Sequence, residues 1–329
     1  MSDIRVLAAA LSLGATIVSG CASGGGSGAA PGPTQVGEEV PLSLRSPAYD
    51  ATEDSRDAEL VWRHEVSHAE ATYIALHFSD FDLPAGAELS ITTQDGSRRA
   101  MYTLSGKQLP VSGTVPIKGF WATHMPGDTA VIELHSSVSL SEGAVALDRF
   151  ARGLPAWQEL AADLPDPSLA GETEAICSTD DSLEAKCYQS SESAAYDKSR
   201  AVARLLLNGT GGCTGWLVGD EGHLMTNEHC IGNASTAANT DYEFMAEGAD
   251  CSTDCRSGGA CPGTVVATSA SVVRINASLD YALVKLPVNP IATYGFMQMR
   301  ESGGQVGERI YIPQHPARWG KRIAMKDGA

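Results

Sequence analysis

The chain has few basic residues and few long apolar runs. Among its 329 residues, 23 lysines and arginines stand against 40 aspartates and glutamates, for a formal net charge of −17. This excess of negative charge argues against a nucleic-acid partner, because phosphate backbones are bound by cationic side chains. The glycines near residues 25 and 258 lack the strand and helix that frame a phosphate-binding loop. We therefore predict no nucleotide, nucleic-acid or other cofactor site.

The N-terminus predicts export. Residues 6–19 form an apolar run that is too short to cross a bilayer as a resident helix. The run ends in Val18-Ser19-Gly20-Cys21, which resembles a bacterial lipobox. The resemblance implies a signal peptide over residues 1–20, lipid attachment at Cys21 and a place on the outer membrane or cell surface. A chance cysteine after an ordinary signal peptide stays an alternative. Residues 21–50 are predicted to form a flexible tether, because their first part is rich in Gly, Ser, Ala and Pro.

Residues 51–155 are predicted to form a β-sandwich. Short apolar runs with period-two alternation alternate with turn residues, and the clearest runs are residues 72–78, 88–92 and 130–134. Residues 156–176 follow as an acidic connector with little periodicity. Such an exposed connector is where a precursor is expected to be cleaved.

A zinc-site motif lies within the predicted sandwich. Residues 64–68 read H-E-V-S-H, and on a helix both imidazoles would bind zinc while Glu65 served as a general base. The surrounding sequence is strand-like, however, and period two would put His64 and His68 on one side and Glu65 on the other. We therefore predict no metal site here, with a zinc metalloprotease kept as an alternative.

A histidine loop follows in the C-terminal part. Residues 213–218 (C-T-G-W-L-V), a polar turn and residues 226–230 (T-N-E-H-C) place a cysteine on each arm of a predicted hairpin. Together they resemble the histidine box of trypsin-like serine proteases in its bacterial form. The resemblance implies that His229 is the general base and that Cys213 and Cys230 form a disulfide. A general base needs such positioning, because proton transfer fails when the imidazole moves away.

An acidic residue follows in the order that this family uses. Asp280 begins the run D-Y-A-L-V-K-L and lies 51 residues after His229 (280 − 229). The resemblance implies that Asp280 orients the imidazole and stabilises its protonated form.

A third segment, residues 310–316 (I-Y-I-P-Q-H-P), resembles the lysyl-endopeptidase-like subgroup of these proteases. In that subgroup the segment is an early strand of the second barrel, which makes His315 a structural residue. The nucleophilic serine of the family lies further on, so we expect it beyond Ala329. Ser302 mimics the D-S-G-G motif but lies only 22 residues after Asp280 (302 − 280), too few for the intervening strands.

The cysteines fit an exported, oxidised protein. Of 8 cysteines, Cys21 would carry lipid, which leaves an odd number, 8 − 1 = 7. Cys187 is expected to pair with one of Cys251, Cys255 and Cys261, and the other two with each other. Cys177 is expected to pair beyond residue 329. A zinc site at Cys251, Cys255 and Cys261 stays an alternative.

We thus predict an all-β protein, with a sandwich that resembles the pro-regions of this protease subgroup and an incomplete double β-barrel over residues 177–329. The predicted function is that of a serine endopeptidase that acts on proteins or peptides. We expect this polypeptide to be inactive, because it lacks the nucleophilic serine. The alternative is a non-catalytic, surface-binding lipoprotein with a degenerate protease-like scaffold.

Overall fold

A computed structural model describes residues 32–52, 57–104, 106–107, 119–155 and 182–326. The strands are β1 (Thr34–Gln35), β2 (Gly37–Arg45), β3 (Glu59–Ser67), β4 (Tyr73–Phe81), β5 (Ala87–Thr93), β6 (Arg99–Thr103), β7 (Phe120–Trp121), β8 (Met125–Pro126), β9 (Thr129–Ser136), β10 (Val145–Gly153), β11 (Leu183–Glu184), β12 (Val202–Leu207), β13 (Gly211–Val218), β14 (His223–Thr226), β15 (Thr240–Phe244), β16 (Thr264–Ala267), β17 (Ser271–Asn276), β18 (Tyr281–Lys285), β19 (Ile310–Gln314) and β20 (Arg322–Lys326). The helices are α1 (Tyr188–Ser191), α2 (Ser193–Ser199), α3 (Ala234–Ala238) and α4 (Ile291–Tyr294), with 3₁₀ turns at Ala185–Cys187, Ala277–Leu279 and Pro316–Arg318. The all-β prediction is confirmed. Within these ranges, every helix is too short or too polar to span a bilayer.

Two facing sheets form the N-terminal sandwich. One has the strand order β2-β10-β4-β7, with β8 also on β4, and the other has the order β3-β9-β5-β6. Apolar side chains of both sheets form one buried core. At its centre Phe78, Phe81 and Phe120 lie with ring centroids 5.1 to 5.6 Å apart. The three predicted apolar runs correspond to β4, β5 and β9.

The sandwich begins earlier than predicted. β2 lies inside the segment that we expected to be a flexible tether, and it pairs with β10 in the register Val40↔Phe150. Its alternate residues Val40, Leu42 and Leu44 pack against the sandwich core, which the period-two rule accounts for. The tether prediction for residues 21–50 was therefore too long, because both β1 and β2 lie within it.

A second antiparallel sheet, here called the barrel sheet, carries the histidine loop. Its order is β16-β15-β12-β13-β14-β18-β17, with β1 added beside β13. Alternate residues of these strands enclose one buried core, so the sheet must curve around it. β12 is buried along its whole length, because on its other face Leu206 meets the sandwich and Arg204 is bonded to the carbonyl oxygens of Ala260 and Arg318.

The predicted early strand of a second barrel is β19. It pairs with β20, which pairs with β11, in a separate sheet. Tyr311 and Ile312 of β19 are 40% and 47% exposed, which is unusual for apolar residues in a sheet.

Sandwich and barrel sheet share a buried contact. Val36, Tyr73, Trp121 and Leu206 belong to one apolar cluster between them. Across the same contact, the Tyr73 hydroxyl donates to the Gly209 carbonyl oxygen at 2.8 Å. The two units therefore pack as neighbours with an ordered interface.

Candidate functional site

The pairing of β14 with β18 brings two distant segments together. The strands are antiparallel, with Thr226 opposite Ala282 and Met225 opposite Leu283. The residues that follow β14 therefore lie beside those that precede β18. This register places the loop of His229 against Asp280, although 51 residues separate them.

A disulfide holds the histidine loop to β13. Cys213 of β13 is bonded to Cys230, with their Cα atoms 6.3 Å apart, as the resemblance implies. The Thr226 hydroxyl also donates to the Thr214 carbonyl oxygen at 2.8 Å. Both links fix the backbone on either side of His229.

His229 and Asp280 form an oriented pair. The ring Nδ1 of His229 lies 2.8 Å from Oδ2 of Asp280, and the His229 backbone N–H donates to Oδ1 at 3.0 Å. The Asn227 side-chain amide donates to the same Oδ2 at 3.1 Å. With the proton on Nδ1 held by the carboxylate, Nε2 is left as the basic nitrogen. Asn227 is a site residue that the sequence reasoning did not single out, although it lies inside the quoted T-N-E-H-C motif.

The carboxylate is presented from a left-handed backbone. Asp280 ends the 3₁₀ turn Ala277–Leu279 with φ 45° and ψ 52°, a conformation that Asp tolerates better than most residues. Partial burial tends to raise the pKa of Asp280, but the hydrogen bonds from His229 and Asn227 outweigh this and hold that pKa below its usual value. Asp280 is therefore a carboxylate at neutral pH.

The other side of the imidazole faces a cavity. The His229 side chain is 16% exposed, and it lines a cavity of about 330 Å³ together with Glu228, Gly211 and Pro33. Its Nε2 has no hydrogen-bond partner among the residues that the structure describes. His229 is therefore partly exposed and borders this cavity.

Two cysteine-containing sets could be mistaken for metal sites. The sulfurs of Cys213 and Cys230 lie within 4.8 Å of His229, but they are bonded to each other. Cys187 is bonded to Cys251, and Cys255 to Cys261, so these sulfurs are not thiolate ligands either. The zinc alternative for Cys251, Cys255 and Cys261 is therefore wrong, because all three sulfurs are in disulfides.

The H-E-x-x-H motif lies on β3. His64 is opposite Ile132 of β9 and Glu65 is opposite Val131, in a regular antiparallel register. Glu65 is exposed and pairs with Arg63 at 2.7 Å, whereas Val66 is buried. Strand alternation separates Glu65 from His64, and His68 lies just past the end of β3, so this segment does not have the helical arrangement of a zinc protease.

The remaining predicted residues make no hydrogen bond to the pair or lie outside the described residues. Ser302 is exposed, and its carbonyl oxygen accepts a hydrogen bond from Arg300. His315 is buried, with Nδ1 3.0 Å from the Trp319 carbonyl oxygen, as expected of a structural residue. Cys21, Cys177 and the connector at 156–176 lie outside the described residues.

Comparison with known proteins agrees with this geometry. The trypsin-like peptidase domain family matches residues 213–329. A curated relative, Secreted RxLR effector protein 73 of Plasmopara viticola, is 38% identical over 282 residues, which cover 84% of this chain and 68% of the relative. The chain therefore belongs to the same family as this relative, and its C-terminal part matches the trypsin-like peptidase domain family.

Proposed function

We propose that the protein is an exported serine endopeptidase precursor in which His229 is the general base and Asp280 its positioning residue. The observation that carries this proposal is the hydrogen-bonded pair itself, with Nδ1 2.8 Å from the carboxylate of Asp280, in a residue that borders a cavity. A serine hydroxyl beside Nε2 would complete the triad, and we propose that it comes from sequence beyond residue 329. The sequence of β19 further supports the lysyl-endopeptidase-like subgroup.

The pair can perform both proton transfers of acyl transfer. When the serine oxygen adds to a peptide carbonyl carbon, its proton moves to Nε2 of His229. The imidazolium, stabilised by Asp280, then gives this proton to the leaving amine as the C–N bond breaks. A water molecule repeats the sequence on the acyl-enzyme and regenerates the serine. Main-chain amides beside the serine would stabilise the oxyanion.

The organisation of a precursor belongs to the same proposal. The sandwich, from residue 37 to 155, would be the pro-region, and the connector at 156–176 the cleavage segment. Export would follow the predicted signal peptide, with lipid at Cys21 as the membrane anchor. The relative is named as a secreted protein, which supports export.

The test is hydrolysis of labelled casein by the protein expressed through the sequence that follows residue 329 in its gene. His229→Ala should lower turnover by several orders of magnitude, because triad members act as a unit. His223→Ala is the matched control: it removes an imidazole from the other end of β14, and activity should be retained. A serine-directed sulfonyl fluoride should inhibit, and a metal chelator should not.

Two results would decide against the proposal. Equal activity of His229→Ala and the wild type would remove His229 from the reaction. A folded, extended protein that hydrolyses nothing but binds surface partners would support the non-catalytic alternative.

A further inference from the structure

In the barrel sheet, β13 has a short edge beside His229 that none of the strands β12 to β18 pairs. On one side, β13 is bonded to β12 along Gly211 to Trp216. On its other side, β14 covers only Trp216 to Val218, so β14 does not reach the main chain at Gly211 and Gly212. Main-chain groups at such an edge bind extended polypeptide by adding a strand.

The chain's own residues fill this edge. β1 pairs antiparallel with β13 in the register Thr34↔Gly212 and Gln35↔Gly211. The next amide, that of Val36, donates to the Thr210 carbonyl oxygen at 2.8 Å. The added strand is therefore short and held mainly through main-chain groups.

Two glycines permit this close approach. A Cβ at Gly211 would lie 3.3 Å from the Pro33 ring, and one at Gly212 would lie 3.0 Å from Cγ1 of Val36. Pro33 also shares the cavity that His229 lines. The occupied edge and the imidazole thus border the same space.

The added strand is anchored at one end. Val36 is 1% exposed and packs with Tyr73, Trp121 and Leu206 between sandwich and barrel sheet. Residues 32–35 are exposed. Its hold on the edge therefore depends on the burial of Val36 and on the attachment of the segment to β2.

We propose that residues 33–36 are a built-in occupant of the edge at Gly211 and Gly212, which a polypeptide substrate must displace to reach His229. This inference rests on the proposed function for the identity of the substrate. The occupant competes as an attached segment, at the high effective concentration that attachment gives. Weakening its anchor should therefore open the edge to a peptide added from solution.

The test measures peptide binding without turnover, in a His229→Ala background. The probe is a fluorescein-labelled peptide with the sequence of residues 32–38, followed by anisotropy. Val36→Ala should bind the probe about tenfold more tightly than the parent, because the occupant loses buried methyl groups. Val40→Ala is the matched control, since it makes the same change on β2 at the sandwich core, and it should leave probe affinity unchanged.

A second variant should hold residues 33–36 more firmly on the edge and so prevent probe binding. Gln35→Cys combined with Gly211→Cys should form a disulfide across the paired residues and hold the occupant in place. The oxidised protein should bind no probe, while the same protein after reduction of this disulfide should bind it. If Val36→Ala unfolds, amide exchange at Val36 in the parent replaces it, and excess probe should accelerate that exchange.

Equal probe affinity in the parent, Val36→Ala and the disulfide-bonded protein would overturn the inference, as would unchanged exchange at Val36. If the extended protein is an active peptidase and either of these results is obtained, only this inference is refuted and the proposed function stands. Probe binding that follows the expected order in a protein without peptidase activity would refute only the proposed function.

Discussion

The buried contact between sandwich and barrel sheet should make stability depend on pH just below neutrality. His124 of the sandwich, whose side chain is 2% exposed, has Nδ1 2.7 Å from Oδ2 of Asp241 on β15. Its Nε2 lies 3.1 Å from guanidinium nitrogens of both Arg98 and Arg318. Because a guanidinium only donates, Nε2 must accept, and the ring is neutral with its proton on Nδ1.

Burial and nearby positive charge both oppose protonation of the His124 imidazole. Burial lowers the pKa of His124 below its usual value, and the charge of Arg318 lowers it further, which outweighs the effects of Asp241 and Glu243. Burial raises the pKa of Glu243, but Arg204 and its other cationic neighbours hold that pKa well below the usual range. Lys107 and Tyr102 complete the charged and titratable surroundings, both facing Asp241.

The protein should become less stable as the pH falls, because its unfolded chains bind more protons than the folded protein does. Below a pH of about 6.5, unfolded chains bind a proton on this histidine that the folded protein does not bind, so stability falls as pH falls. The loss reaches about 1.4 kcal/mol for each pH unit between the unfolded and the native pKa. The carboxylates Asp241 and Glu243, whose native pKa values are lowered, lose their contribution at more acidic pH, below their unfolded values.

The assay is urea unfolding of the wild type and His124→Asn from pH 8 to pH 5. The variant keeps a donor toward Asp241 but loses the Nε2 acceptor, which should cost about 1–3 kcal/mol at pH 8. As the pH is lowered, the free energy of unfolding of the variant should fall less steeply than that of the wild type. The difference in slope should be at most that of one proton, about 1.4 kcal/mol per pH unit. His315, whose pKa is also lowered by burial, contributes equally to both proteins and cancels in the difference. Identical slopes for the two proteins would refute this reasoning.

Three further predictions concern the site and the processing of the chain. In the protein extended beyond residue 329, Asp280→Asn should reduce kcat by about 10³- to 10⁴-fold while leaving the thermal unfolding midpoint nearly unchanged; an unaltered kcat would remove Asp280 from the triad. Metal analysis of the purified protein should show no stoichiometric zinc, and an equivalent of zinc lost on His64→Ala would restore the metalloprotease alternative. Mass spectrometry of mature protein should find lipid on Cys21; secretion unchanged by Cys21→Ser would contradict the anchor.

The candidate site could be located from local patterns. His229 and Asp280 each stand in a short run of characteristic residues, and the apolar runs of β4, β5 and β9 show the period of a strand. β2 was missed although Val40, Leu42 and Leu44 alternate, because the Gly/Pro-rich stretch before it suggested a tether; Pro41 also lies within this strand. The structure explains the proline: β2 is the last strand of its sheet, where a missing N–H is tolerated.

The contacts across the two units could not be predicted in this way. His124 and Asp241 are 117 residues apart, and neither stands in a motif. The pairing of Thr34 with Gly212 likewise depends on an edge that exists only once β12, β13 and β14 have come together. Nothing in the composition of either segment specifies its partner.

By itself, the sequence determined the all-β class, the histidine loop and the acid that serves it, because these are properties of residue type, spacing and period along one strand or turn. The tertiary structure alone decided that Asn227 supports the carboxylate, that His124 is held neutral among guanidinium groups, and that residues 33–36 lie on the edge beside His229. These depend on which surfaces meet after the strands have paired. The burial of a residue at such a contact, and the charges around it, depend on which distant segment of the chain packs against it.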